Sequence, residues 1–559
     1  MVRGWKECVI LSILFLVPIV FYSQTLTFDF VSFDDGLHIY QNPKLNPPSW
    51  SGVKEFWTRP YQGLYVPITY TVWSLEAAFA KRKPIGHQGR SSLSPILFHF
   101  GNLFLHGANG AIFYVLLRTL SFSIGGSAVA VLFFLFHPLQ VETVAWISSL
   151  KDLLAGFFAL LSLLQYLLFR KEKTKKWHYF LSALCFVCAL LSKPSALIVP
   201  LIAGVLDRAC LGRNWKESWR YWVPGFFIGA PLVFLTKWLQ PDQSLDFIPS
   251  FFQRLVVALD TLCFYLGKLF FPFLLTLNYG RTPEHVLSEP TTVLLLAVPL
   301  VIGYFVWKHP NWKIAWTALA LFVIGPLPVL GFIPFYYQKY STVADRYLYL
   351  AMLGPALFLA HWLSQRPRRW RFAFASVLLA LLTARSLQQL HVWKNNRTMI
   401  HQVGLVNSND PDVHYSLAVV FSEESQLPGQ TSFYSEMLRL PVEERDEATR
   451  LSRQREAIFH YEEAIRLNPL HAFAHNNLGL VLHRMGNFVQ AEGHFKKAVE
   501  IEPQMGQAFN NLGATLAREG KLQEAISAFE KAQALSPGDG NVQKNLRQTE
   551  GLLLKKGKG

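Results

Sequence analysis

From residue 8 to about residue 390 the chain is a succession of apolar runs long enough to cross a bilayer, and beyond residue 393 it is not. A bilayer core about 30 Å thick asks for about 20 apolar residues per helix, with every backbone polar group satisfied inside it. That restricts residues 1–393 to a polytopic bundle of membrane helices, and the runs number eleven: 8–28, 96–118, 125–145, 150–169, 177–191, 195–207, 221–239, 292–307, 312–331, 347–363 and 371–389. The whole-chain averages, 51% hydrophobic and 16% charged over 559 residues, mix two unlike parts. The net charge of +16 lies in short segments between runs: Lys171, Lys173, Lys175 and Lys176; Arg208, Arg213, Lys216 and Arg220; Lys308 and Lys313; Arg366, Arg368, Arg369 and Arg371. Basic segments beside spans mark the cytoplasmic side. The excess charge therefore reports topology and excludes a nucleic-acid patch.

Arg3 and Lys6 ahead of the first apolar run look like the start of a signal peptide. With no clear cleavage site, the run is expected to stay as the first span, its start in the cytoplasm. An odd count of spans then carries everything beyond residue 390 to the outer face, along with a long first loop, 29–95. Two apolar stretches, 64–80 and 253–275, break this parity and are expected to lie along the outer interface or dip into it. Arg254, Asp260 and Lys268 interrupt the second. The five cysteines, Cys8, Cys185, Cys188, Cys210 and Cys263, all fall in or beside apolar runs. They imply packing rather than a disulfide framework or a redox motif.

The part after residue 393 repeats. Leu478-Gly479 and Leu512-Gly513 are 34 residues apart, and the same offset links Leu482 to Leu516, Gly486 to Gly520, Ala491 to Ala525, Phe495 to Phe529, Ala498 to Ala532 and Pro503 to Pro537. Period 34 with this pattern is the tetratricopeptide repeat (TPR), a pair of antiparallel helices. An earlier repeat is visible in halves, Leu417-Ala418 and then Ala457, Tyr461, Ala464 and Pro469, parted by an insert near 426–452. Residues 540–556 read as a capping helix. The fold class expected is all-α: a membrane bundle over 1–393 and a TPR solenoid of about three repeats over 394–559. Such arrays bind extended peptides or partner proteins on a concave face. Asn476, Asn477, Asn510 and Asn511 recur one period apart, either to grip a peptide backbone or as part of the repeat's own pattern.

Four groups of polar residues could carry chemistry. Asp34-Asp35, six residues beyond the first run, reads either as a general base with a hydrogen-bonding partner or as an Asp-Asp-Gly turn. Glu142 and Lys151-Asp152 flank the next outer turn, as site acids or as caps for the following helix. His99, Asn102, His106 and Asn109 fall on one face of the second run, as interhelical hydrogen bonds or as the lining of a substrate path. Arg346 in Ala-Asp-Arg-Tyr, at the mouth of a late span, is costly there unless it meets an anion. Phosphate is one such partner, with Lys193 as a second contact; Asp345 or another acid is the alternative. Nothing has metal-ligand spacing, so no cofactor is expected, a divalent metal not being excluded.

With Asp34-Asp35, HPLQVETVAWISSLKDLLAGFF, LLSKPSA, ADRYLYL and the trailing repeats, the chain resembles the TPR-bearing transmembrane O-mannosyltransferases of the GT-C superfamily. The resemblance implies an inverting transfer of a sugar, typically mannose, from a polyprenyl- or dolichyl-phosphate donor to a Ser or Thr hydroxyl. It implies that Asp34 and Asp35 are catalytic, Asp34 as the base, that Arg346 holds the donor phosphate, and that Glu142 and Asp152 are nearby acids. Animal members of that family carry many more repeats, and the compact chain with about three departs from them toward a bacterial inner-membrane enzyme, with the repeats in the periplasm recruiting an acceptor polypeptide or partner. The competing expectations are a non-catalytic membrane-anchored TPR scaffold and a polymerase or ligase acting on lipid-linked glycans.

Overall fold

A computed structural model describes residues 4–559 except 32, 86–89, 173–174, 239–246, 291–294, 296, 309–311, 366–368, 426–446 and 557–559. It divides into two compact units, Met1–Met399 and Ile400–Gly559. Its regular structure is mostly helical; the named strands among the described residues are those of a two-stranded antiparallel hairpin, β1 (Arg82–Ile85) with β2 (Arg90–Leu93).

The first unit begins with α1 (Trp5–Phe21) and the folded first loop, which contributes α2 (Trp50–Thr58) and α3 (Pro67–Phe79). Then follow α4 (Ile96–Thr119), α5 (Ile124–Phe136), α6 (Val141–Ala145), α7 (Leu150–Lys171) and α8 (Lys176–Ser192). Among the described residues four helical stretches are long and apolar enough to cross a membrane: Ile96–Thr119, Ile147–Lys171, Trp312–Val329 and Arg369–Trp393. A fifth is added if α5 and Pro138–Ala145, bent by 54°, count as one span. Four or five of the eleven expected spans are thus present as long apolar helices among the described residues. Apolar windows ran on where the backbone breaks: α1 stops at Phe21 and continues as a 3-10 turn, Ser23–Thr27, while 195–207 is a 3-10 turn, Pro194–Ile198, joined to Val199–Ala209. The late run 347–363 yields only the 12-residue helix Leu353–Ser364. Neither Pro67–Phe79 nor Phe251–Phe270, the helices of the two parity-breaking stretches, is among the candidate spans.

Close backbone approach sets how α4 and α7 pack. A Cβ at Gly107 of α4 would lie 2.4 Å from the Phe15 carbonyl of α1, and one at Gly156 of α7 would lie 2.7 Å from the Tyr349 ring. Small residues let membrane helices touch along their backbones. The break between α5 and α6 follows from His137-Pro138: proline has no amide hydrogen to donate, and the residue before it is driven out of helical geometry. The bend turns the chain back and delivers Glu142 and the turn 146–149 to the start of α7. The first loop has its own aromatic core, in which Phe56 stacks on Tyr70 at 4.3 Å beside buried Phe30, Trp73 and Phe98.

In the second unit the repeats run Pro411–Glu424 with Glu447–Leu467, Ala472–Arg484 with Phe488–Ile501, and Gly506–Arg518 with Leu522–Leu535, closed by Gly540–Lys556. The repeat grammar is physical: the Gly479 backbone meets the Phe495 ring and Gly513 meets Phe529, each too close for a Cβ. Gly486 and Gly520 make the turns at φ 83° and 81°, open to glycine without strain. Of the expected insert 426–452, residues 426–446 lie outside the described residues, and 447–452 belong to the helix Glu447–Leu467.

Candidate active site

Asp34 and Asp35 follow α1 at a tight turn that runs into one π-helical turn, Gly36–Tyr40. Their environments differ. Asp35 is buried: Oδ2 accepts from the Val31 amide at 2.8 Å, and Oδ1 accepts from the Ser148 amide at 3.0 Å and the Ser148 hydroxyl at 2.5 Å. It pins the first loop to the turn ahead of α7. Burial, opposed by the hydrogen bonds from Ser148 and Val31 and reinforced by the charge of Asp34, pushes its carboxyl up to about 7. Asp34 keeps 27% of its side chain exposed and accepts from Lys151 Nζ at 3.1 Å. Burial alone would raise its pKa, but the charges of Lys151, of His38 once acid protonates it, and of Arg346 outweigh it and hold the carboxyl below its usual value. His38, 2.8 Å from the Tyr70 hydroxyl, is pulled down to about 4 by burial and by Lys151, against Asp34.

Two further ion pairs stand beside this one. Arg346 Nη1 donates to Glu142 Oε1 at 2.5 Å, and Lys193 Nζ pairs with Asp152. The alternative partner for Arg346 is therefore Glu142 and not its neighbour: the Asp345 carboxylate accepts from Tyr279 at 2.7 Å, and its amide donates to Glu142 Oε2 at 3.1 Å. Burial, then Glu142, pushes Asp345 above the usual carboxylate range. The guanidinium of Arg346 lies among three aromatic rings, 4.6 Å from Tyr337, 5.0 Å from Tyr347 and 5.2 Å from Trp146. Trp146 also carries Lys151 at 5.8 Å and stacks on Trp393 at 5.7 Å. It thus joins the Asp34 pair to the Arg346 pair. Arg346, Tyr347, Lys193 and Asp152 line a small cleft of about 30 Å³, with Ser195 and Tyr349.

The cluster brings together Asp34, Asp35, Glu142, Asp152, Lys193 and Arg346. It does not bring in the polar stripe of α4. Asn102 donates to the carbonyls of Val144 and Trp146, Asn109 to Leu153 and Tyr349, and His106 bonds Tyr349 and Leu135. His99, Asn102 and His106 are all buried, and the bonds of Asn102, His106 and Asn109 tie α4 to its neighbours. The TPR asparagines likewise bond one another. Asn511 donates to Asn476, Asn476 to Asn477, Asn477 to Tyr415, and Asn510 accepts from Asn545. The bonds of Asn511, Asn477 and Asn510 link the first helices of successive repeats and the closing helix. The sequence reading named Lys151 beside the outer turn but gave it no role, and it left Ser148 and Trp146 out of the site. Lys151 was visible as a charge at the start of α7, but no spacing rule links it to Asp34 more than a hundred residues earlier. Among the described residues no group of three or more His, Cys, Asp or Glu is gathered to hold a metal ion.

Two tetratricopeptide repeat models match, at residues 472–505 and 506–539. Over the longer span the chain is similar to Protein O-mannosyl-transferase F38B6.6 of Caenorhabditis elegans, 24% identical over 75% of this chain and 61% of the relative. It is similar to Protein O-mannosyl-transferase TMTC1 of Homo sapiens at 22% identity, over 82% of this chain and 55% of the relative. The chain is a distant relative of the TPR-containing protein O-mannosyl-transferases. Human TMTC2 matches at 30% identity over a shorter stretch, 33% of this chain and 22% of its own length. The chain spans less than two thirds of the length of each of the first two of these relatives, 61% of the first and 55% of the second. Among solved structures, a thermophilic TPR protein of Thermus thermophilus aligns with 35% of this chain and 89% of its own, at 18% identity and TM-score 0.22.

Proposed function

We propose that this protein is a multi-pass membrane glycosyltransferase that moves a sugar, mannose by preference, from a polyprenyl-phosphate donor to Ser or Thr hydroxyls of an exported protein. What carries the reading is the coincidence of distant homology to O-mannosyl-transferases over most of the chain with a partly exposed, charge-stabilised Asp34 near Arg346, which lines a cleft together with Lys193. In this reading Asp34 takes the proton of the acceptor hydroxyl as the oxygen attacks the anomeric carbon. The bond from that carbon to the donor phosphate breaks on the opposite face, giving inversion, and the phosphate leaves with its electron pair toward Arg346 and Lys193. Both cations are already paired, with Glu142 and Asp152, so the acids hold them at the cleft and the donor must compete for them. Asp35 serves the site by fixing the loop that carries Asp34 and not as a second base, because its oxygens are taken up by Val31 and Ser148. The orientation that fits is a cytoplasmic N-terminus and an outer-face TPR unit, in a bacterial inner membrane, where the repeats meet the acceptor polypeptide or a partner.

The test is transfer of label from polyprenyl-phosphate mannose into protein by membranes carrying the wild type or Asp34→Asn. Transfer by the wild type and its loss in an inserted Asp34→Asn protein are the expected results. Equal transfer by both removes Asp34 from the mechanism. No transfer from this donor by the wild type favours another sugar or the anchored TPR scaffold.

A further inference from the structure

Of the three neighbouring ion pairs, the Lys151–Asp34 pair has the most open acid: 27% of the Asp34 side chain is exposed, against 1% for Glu142 and 6% for Asp152. The lysine that makes it is itself held on two sides. Its ammonium lies over the ring of Trp146, and that ring is buried and backed by Trp393. Its backbone is the second residue of α7, three residues beyond Ser148, whose amide and hydroxyl are fixed by Asp35. The contacts form a closed circuit: Asp35 sets Ser148, the turn sets Lys151, and Lys151 meets the carboxylate next to Asp35.

We propose that Lys151 is the positioning residue of this site: its ammonium turns the Asp34 carboxylate toward the incoming hydroxyl and keeps it ionised, without itself contacting donor or acceptor. The inference rests on the reading of Asp34 as the acceptor's base. The groups facing Asp34 from every side support it. They are Lys151 on α7, His38 on the π turn, Tyr70 on α3, Arg346 and the adjacent Asp35. Burial keeps His38 and Tyr70 in their neutral forms at neutral pH, and Arg346 is engaged by Glu142. Lys151 is then the cation whose removal changes the carboxylate most. A carboxylate so paired gives up some basic strength but is ionised at any pH where the enzyme works, and its lone pairs are aimed.

The experiment is the pH dependence of kcat and of the donor KM for the purified full chain, comparing wild type, Lys151→Met and Lys151→Arg. Methionine keeps a stem over Trp146; Lys151→Gln is the second variant should the first fail to insert. The expected result is an acid limb of the kcat profile moved up by about one pH unit in the Met or Gln variant. The donor KM stays within about twofold and arginine returns the limb to its place. A lower kcat with an unmoved limb makes Lys151 merely structural and overturns the proposal. A raised donor KM makes it a donor contact and also overturns it. Absence of transfer by the wild type is a different failure: it removes the base reading on which this inference stands.

Discussion

Replacing Asp34 by Asn keeps the shape of the side chain and its contact with Lys151 while removing the basic oxygen, so transfer is expected to be lost with thermal unfolding in detergent little changed. Asp35→Ala is expected to behave in the opposite sense. It leaves the Val31 amide and both Ser148 donors without their acceptor in a buried setting, at a cost of about 1–3 kcal/mol per group. The melting temperature should fall before activity per folded molecule does. The raised Asp35 carboxyl also gives a pH signature. Its folded pKa, about 7, lies above the value near 4 of an unfolded aspartate, so the folded state binds the extra proton between them. That contribution is full below about pH 4 and is lost as pH rises through 7, a slope that Asp35→Asn should remove from unfolding curves taken across the range. Glu142→Gln tests the next pair: a buried Arg346 without its anion is expected to cost about 3–5 kcal/mol, read as loss of folded protein.

Two paired elements of the TPR unit share a device that the third lacks. His414 Nδ1 lies 2.8 Å from His460 Nδ1, and His475 Nδ1 lies 3.1 Å from His494 Nδ1. The Nε2 of His414 faces the Ser408 carbonyl and that of His475 faces the Pro469 carbonyl. A carbonyl only accepts, so each helix-A histidine spends its proton there and accepts at Nδ1 from the helix-B partner. Burial, with the partner histidine adding to it, lowers His460 to about 4 and lowers His494, and burial lowers His475. Depressed histidines stabilise the fold above about pH 6.5, the unfolded value, and that support is lost as pH falls toward 4. Hydrogen exchange in the full chain should therefore speed up over 411–501 on acidification and less so over 506–535, where Phe509 and Ala528 stand at the equivalent positions. Among the membrane helices, Gly107→Ala would press a methyl onto the Phe15 carbonyl, and about 1–3 kcal/mol of destabilisation is expected, seen as a lower detergent melting temperature.

The chain divides into its two compact units between Met399 and Ile400, and the proposed division of labour follows that boundary. The ion pairs, the cleft and the aromatic platform lie wholly within Met1–Met399, while the repeats lie wholly within Ile400–Gly559. A chain ending at Met399 is thus expected to keep binding of polyprenyl phosphate and to lose efficiency toward protein acceptors, read as a raised acceptor KM with the donor KM unchanged. Unchanged acceptor kinetics would take the repeats out of acceptor recruitment.

Periodicity alone determined the repeats: the 34-residue offset from Leu478-Gly479 to Leu512-Gly513 specifies which glycine meets which aromatic, because each unit packs only on its neighbours. Composition alone determined that the first part is an apolar helical bundle. It did not determine how many helices run the full thickness, since hydropathy is blind to the backbone breaks at Phe21, Pro194 and the 345–348 turn. The acids and bases of the cleft stood out as charges in apolar surroundings, which is costly and so informative. Their pairing did not. That Arg346 meets Glu142 and not Asp345, and that Asp34 meets Lys151 while Asp35 meets Ser148, depends on the bend at Pro138 and on how α7 docks against the first loop. Those are distances across the fold of 113 to 204 residues in the chain, and only tertiary packing sets them.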